Sequence, residues 1–201
     1  ALAERSLASL RAMQGRFDEA RELAMDAAGI LEDLGLWLRA AFAWEAIAVV
    51  ERLAGDGEAT ERALRTGYEL SEKLGERGFL STVSALLARE MLDRGRLDEA
   101  ERLLAVSDEA AAQDDLATQV TLHGARGRVA AARGDLEAAE RGCRRATTLA
   151  ETTDDINMLA EARQDLGTVL ELAGRTAEAR AAFAGSLELF EAKGNVVSER
   201  A

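Results

Sequence analysis

Apolar positions recur at helical spacing in segment after segment of the chain. Phe17, Ala20, Leu23, Ala24, Ala27, Ile30, Leu31 and Leu34 fall along one side of a helix, with Asp18, Glu19, Arg21, Glu22 and Glu32 on the other. That pattern predicts an amphipathic α-helix. Leu97, Ala100, Leu103, Leu104, Ala110 and Ala111 repeat the arrangement. Glycines separate such segments at a fixed beat: Gly15, Gly55, Gly95, Gly134 and Gly174 stand 40, 40, 39 and 40 residues apart. So regular a period marks a repeat architecture.

Each period divides at its glycine into an A segment before it and a B segment after it. Glycine takes a positive φ without a Cβ clash, so it ends helix A. Acidic residues follow at once, Asp18 and Glu19, Asp98 and Glu99, Asp135 and Glu137. The positive end of a helix dipole favours them there, so helix B begins at these positions. Side-chain size at three offsets says how the helices meet. Seven residues before the glycine stand Ala8, Ala48, Ala88, Gly127 and Gly167; five after it Ala20, Thr60, Ala100, Ala139 and Ala179; twelve after it Ala27, Gly67, Ser107, Ala146 and Ser186. All are small, as close approach of antiparallel helices requires. The pattern predicts an all-α fold, a right-handed superhelical solenoid of about five antiparallel helix pairs with a continuous core. The repeats are expected over 1–35, 36–75, 76–114, 115–154 and 155–194 of a single domain, with 195–201 opening a further helix.

The turns "GRFDEA" from Gly15 and "GRLDEA" from Gly95, with the small residues around them, resemble the tetratricopeptide repeat (TPR). That family carries a small residue in helix A, a Gly-Asp/Arg-aromatic-x-Glu-Ala turn and further small residues in helix B. The period exceeds the family's usual length of roughly 34 residues. The chain also lacks proline, and the second turn, "GDGEAT", departs from the motif. Those departures suit the longer-helix variety of bacterial multidomain regulators. "ERGFLSTVSALLAREMLDRGRLDEAERL", "SDEAAAQDDLATQV" and "LELFEAKGNVVSERA" are similar to the C-terminal tails of proteins that join a class III adenylate/guanylate cyclase domain to a signal-transduction NTPase and then to helical repeats. The resemblance implies a regulatory or sensing tail. The opening at Ala1 inside an apolar-periodic stretch and the ending "GNVVSERA" suggest a piece of a longer polypeptide.

Composition narrows the partners. Hydrophobic residues make up 48% and charged residues 31% of 201, the balance of a folded chain. Ala, Leu, Arg and Glu dominate, which favours helix over sheet. The formal net charge of −12 argues against nucleic acid, since binding phosphate backbones needs clustered Lys and Arg. No apolar run approaches the roughly 20 residues of a membrane span, and no leader precedes the first helix, so no membrane partner is expected. Cys143 is the one cysteine, which precludes an internal disulfide and a cysteine metal cluster and fits a reducing, cytoplasmic location.

Candidate chemistry is sparse. His123 is the one histidine and lacks catalytic or metal partners at fitted spacing. Neither a Walker loop nor a GxGxxG fingerprint occurs. Asp114 with Asp115, and Asp154 with Asp155, precede A segments and read as helix caps rather than metal ligands. Cys143 falls at an interior B-helix position, as a buried thiol. Trp37 and Trp44 lie seven residues apart, nearly on one face, and suit core packing more than ligand stacking. No catalytic set, metal or cofactor is expected, so the chain reads as no enzyme.

In tetratricopeptide arrays the A helices line a concave wall where partner segments lie. Carried over by offset from the turn glycine, the resemblance places Arg5, Phe42, Glu45, Arg52, Thr82, Arg89, Arg128, Glu161, Gln164 and Thr168 on that wall. The guanidinium forks of Arg5, Arg52, Arg89 and Arg128 suit a carboxylate or phosphate, or else pair with neighbouring Glu and Asp. The leading expectation is a non-enzymatic interaction module of a cytoplasmic bacterial signalling protein, binding a protein or peptide segment that its own upstream domains could supply. The alternative is a small-molecule or short-peptide sensor controlling an upstream cyclase, NTPase or transcription-regulator domain. Self-association through apolar flanks of the end helices is a separate expectation.

Overall fold

The structure, a computed structural model, describes residues 2–200. Its helices are α1 (Leu2–Met13), α2 (Phe17–Asp33), α3 (Trp37–Ala54), α4 (Gly57–Leu74), α5 (Arg77–Asp93), α6 (Leu97–Ala110), α7 (Leu116–Ala132), α8 (Leu136–Ala150), α9 (Ile156–Leu172) and α10 (Thr176–Lys193), with a short 3-10 helix at Ser198–Arg200. No strand occurs among the described residues. The fold is all-α, and the helices alternate as A and B members of successive antiparallel pairs. The one short step of the glycine beat, from Gly95 to Gly134, has a local cause: α6 has 14 residues, whereas α8 in the following 40-residue step has 15.

The turn glycines do what their backbone freedom allows. Gly15, Gly55, Gly95, Gly134 and Gly174 take φ values of 76, 79, 73, 85 and 73°. The residue after each donates its N–H to a carbonyl five positions back, as Asp56 does to Glu51 at 3.0 Å and Arg96 to Met91 at 2.8 Å. This closes the A helix and satisfies carbonyls that its end would leave orphaned. The same residue then starts the B helix in one of two ways. Asp56 and Asp135 each accept from the backbone N–H three residues on, at 2.9 Å. Arg16, Arg96 and Arg175 instead grip Glu19, Glu99 and Glu178 three residues on, each with a contact of 2.5 Å.

The small residues of all three offsets are buried. Gly127 shows why size matters: a Cβ there would lie 2.6 Å from Cys143 Sγ and 2.9 Å from the Ala139 carbonyl oxygen. Gly142 of α8 makes the reciprocal approach, its Cβ position falling 3.0 Å from Gly127 Cα. Helices α7 and α8 therefore meet backbone to backbone. Around this contact Ala139, Cys143, Leu166, Val169, Leu170 and Ala179 form one apolar cluster, and Val120, Ala146, Ala150 and Ala162 another.

The chain falls into two compact units. The first runs from the start of the chain to Val83 and includes the segment from Gly194; the second is Ser84–Lys193, so the boundary lies inside α5. In the first unit α2 packs on both α1 and α3, but its apolar arc is wider than the face they cover, and Ile30 and Leu34 are exposed. Val197 of the C-terminal segment lies against the first turn, its Cγ2 3.9 Å from the Cβ position of Gly15. Asn195 caps the 3-10 helix, accepting from Ser198 N at 3.2 Å. Ala1 and Ala201, at the ends of the first and last expected segments, lie outside the described residues.

Candidate functional site

Within each unit successive A helices pack directly on one another as well as on their B partners. Helix α1 packs directly on α3 in the first unit, and α7 on α9 in the second. Helix α8 and the start of α10 are joined through long side chains, Glu140 to Arg175, the residue before α10, at 2.5 Å and Arg144 to Glu178 at 3.6 Å. The candidate residues named from the sequence stand on these A helices, and the side they share is called the A-helix wall below.

In the first unit Phe42, Glu45, Val49 and Arg52 follow one stripe of α3 at steps of 3, 4 and 3, the first three partly exposed and Arg52 exposed. The Phe42 ring packs on Phe79 of α5, with centroids 4.1 Å apart and planes tilted by 46°. The Arg5 guanidinium of α1 stands 5.8 Å from the Phe42 centroid, at the reach of a cation–π contact. One turn along, burial pushes the Glu45 carboxyl above its ordinary pKa, and the charge of Arg5 partly offsets this. Arg5, Phe42 and Glu45 are thus brought together. Arg52 stands in the last turn of α3, where a cation complements the helix dipole.

In the second unit the wall is ionic. Arg89, in the last turns of α5, reaches α9 with Nη1 3.6 Å from Glu161 Oε2 and Nη2 3.5 Å from Asp165 Oδ2. Arg128 of α7 adds Nε at 3.8 Å from Asp165 Oδ1 and pairs at its other end with Asp93. Asp165, then Glu161 and Asp93, raise the Arg89 pKa still further against the opposing cost of burial. Gly124 of α7 stands beside Asp165: a Cβ there would come within 3.1 Å of Oδ2. Gln164 and Thr168 continue the α9 stripe from Glu161, and the Thr168 hydroxyl donates to the Gln164 carbonyl at 3.1 Å. Arg89 and Arg128 therefore have acidic partners of their own.

The remaining singled-out residues divide. Asp115 and Asp155 cap α7 and α9, accepting from Thr118 N at 3.1 Å and Met158 N at 3.0 Å. Cys143 is buried and free, and burial with the nearby Asp165 charge pushes its pKa up to about 12. Burial, Arg126 and Arg145 push His123 below its usual range. Trp44 is half-buried and its indole donates to Glu32 at 2.8 Å. Trp37, read as core, is 46% exposed. It opens α3 at a turn where Leu34, Leu36 and Leu38 are exposed too. Among the described residues no group of three His, Cys, Asp or Glu is placed to hold a metal, and no helix is long and apolar enough to cross a membrane.

Two wall residues carried no signal in the sequence. Phe79 sits at the start of α5 and is known as a stacking partner only from its contact with Phe42. Asp165 lies one residue beyond Gln164 and reaches the wall because Gly124 opposite leaves room for it.

These features define a TPR-like protein: an all-α fold of stacked helix pairs closed by glycine turns. No protein-family model and no curated protein matches the chain. Among solved structures it is similar to a Rap protein complexed with Competence and Sporulation Factor, with a TM-score of 0.73 at 17% identity over 98% of this chain and 57% of that one. It is similar also to BtubC (BKLC) from P. vanneervenii, with a TM-score of 0.64 at 18% identity over 93% of this chain and 78% of that one. A putative kinesin light chain from Podosopora anserina, with nearly identical TPR-like repeats, gives 0.59 at 16% identity over 93% of this chain and 92% of that one. At these identities the likeness is one of fold.

Proposed function

We propose that this protein is a non-enzymatic interaction module that holds a segment of a partner protein against its A-helix wall. The observation that carries the reading is the trio Arg5, Phe42 and Glu45. A cation, an aromatic face and a desolvated carboxylate are gathered within about two turns of α3 and the facing part of α1. Burial raises the pKa of the Glu45 carboxyl against the charge of Arg5, and perturbed groups of this kind cluster at functional sites. The Rap protein of similar fold is itself in complex with Competence and Sporulation Factor, which supports occupation of such a fold by a partner. The net charge of −12 sets the surface against nucleic acid.

The resemblance to cyclase–NTPase tails gives the context: a cytoplasmic bacterial signalling protein whose upstream domains supply the segment. The compactness of the trio also suits a second reading, a short-peptide or small-molecule sensor controlling those domains. Titration calorimetry of this chain against the upstream domains of its polypeptide tests the first reading. Saturable binding is expected, weakened about tenfold by Phe42→Ala with helicity unchanged. Absence of binding to those domains or any other protein, with a thermal shift produced by one compound, would replace it with the second.

A further inference from the structure

Helix α2 carries six carboxylates and a single arginine. That arginine, Arg21, forks onto Glu51 of α3 and reaches back to Asp18. Arg16, just before the helix, pairs with Glu19, and Glu32 accepts from the Trp44 indole. Glu22, Asp26 and Asp33 remain: they are exposed and take part in no hydrogen bond or ion pair with any described residue. Two other B helices carry counter-ions one turn on, as Arg62 and Arg65 do for Glu58 and Glu61 in α4, and Arg141 and Arg144 for Glu137 and Glu140 in α8. In α2 no cation stands at those positions.

Apolar side chains border the same row. At 3.6 residues per turn Glu22, Asp26 and Asp33 lie within about 40° of one another, with Ile30 and Leu34 along one edge and Met25 along the other. All three apolar residues are exposed, Leu34 at 66%. Along the chain the apolar edge continues into the turn, where Leu36, Trp37 and Leu38 are exposed as well. Single exposed leucines are ordinary on a protein surface, but five large apolar side chains within residues 30–38 form a patch of the kind that marks an interaction site. Its charge decides what covers it. A second copy in a two-fold dimer would set the carboxylate row against itself, and like charges brought together cost binding. An anionic lipid surface is repelled in the same way. A protein segment that carries lysine or arginine beside apolar side chains meets both features.

We infer that the outer face of α2, with the turn into α3, docks a basic protein segment: its cations pair with Glu22, Asp26 and Asp33 while its apolar side chains cover Ile30, Leu34 and Trp37. Arg39 follows Leu38 and is exposed. Its charge turns the basic part of the segment toward α2 and leaves the turn to the apolar part. The surface shares no residue with the A-helix wall, so it stands or falls apart from the reading above.

Three synthetic peptides of equal length and spacing test this, one of leucine and lysine, one of leucine and glutamate, and one of serine and lysine. Each is titrated into the full chain by calorimetry and by nuclear magnetic resonance. The leucine–lysine peptide is expected to bind saturably, about tenfold more tightly than either of the others, and to shift the α2 amides and the Trp37 indole N–H. Ile30→Ser with Leu34→Ser should weaken that binding about tenfold. Asp26→Asn with Asp33→Asn should weaken it and flatten its salt dependence. All four positions are exposed, so both double variants should melt near the wild type. Phe42→Ala should leave the affinity unchanged, which separates this surface from the wall. Equal binding of the serine–lysine peptide, or shifts confined to other helices, would overturn the inference. So would a dimer in sedimentation that Leu34→Ser dissolves, since the face would then belong to a second copy.

Discussion

Gly127 and Cys143 fix the spacing of α7 and α8: a Cβ on the glycine would fall 2.6 Å from the sulfur, and the Ala139 carbonyl and Cys143 amide stand nearly as close. The sulfur could turn aside, but the backbone atoms could not. Gly127→Ala should therefore destabilise the fold by about 1–3 kcal/mol through overpacking, against the roughly 1 kcal/mol that alanine ordinarily gains over glycine in a helix. Gly29 of α2 is the control, since a Cβ there meets nothing within 4 Å. Gly29→Ala should stabilise by up to roughly 1 kcal/mol. Urea unfolding of both variants checks the pair.

Cys143 has its pKa pushed up to about 12, first by burial and then by the Asp165 charge. The thiolate is the reactive form, so the native protein should resist Ellman's reagent at pH 8. Labelling should proceed at the rate of unfolding and become immediate in denaturant. Rapid labelling of the native chain would contradict the packing around α8.

Arg21 joins α2 to α3 by a fork on Glu51, with Nε at 2.9 Å from Oε1 and Nη2 at 2.8 Å from Oε2. Glu51 is 8% exposed, so removing the fork strands a buried charge. Arg21→Ala should cost about 1–3 kcal/mol. Arg21→Lys should recover only part of it, because an ammonium cannot make both contacts. Denaturation midpoints of the two variants decide.

Glu45 has a raised pKa in the folded chain, from burial opposed by Arg5. A group so shifted contributes stability below its unfolded pKa, near 4.3, and that contribution is lost as pH rises through the folded value. Glu45→Gln is accordingly expected to raise the melting temperature at pH 7, with the gain vanishing near pH 4. Glu140 and Glu178 behave oppositely, since Arg144 and Arg175 hold their carboxyls below the usual range. Their contribution is present above the unfolded pKa and disappears as pH falls through the folded one. Arg175→Gln should flatten the acid limb of the stability curve, and less so in high salt.

The fold was legible because its determinants are local or strictly periodic. A turn glycine needs only its own φ, and a small residue at a fixed offset needs only the neighbouring helix, so Gly15 and Ala8 could be read without coordinates. The side chains expected on the wall could be assigned to A helices from the sequence, but their contacts could not. Arg89 and Arg128 stood out as cations on an acidic chain, yet their partners Asp165 and Asp93 are set by which turns of α5, α7 and α9 face one another. That register depends on packing as fine as the Gly127–Gly142 contact, and Gly142 lies at an offset whose counterparts are not small throughout. Trp37 misled for a related reason: seven-residue spacing puts it on a face with Trp44, but as the first residue of α3 it stands at an exposed corner.

Photocrosslinking from single positions measures most directly whether partners use the A-helix wall. Benzoylphenylalanine placed at Phe42 of α3 or Thr168 of α9, on the proposed binding side of each unit, should crosslink to a protein partner of the kind proposed above. The same group at Arg62 of α4 or Arg141 of α8, on exposed B-helix surface, should give none. Crosslinks of equal strength from all four positions, or from the B helices alone, would contradict the assignment.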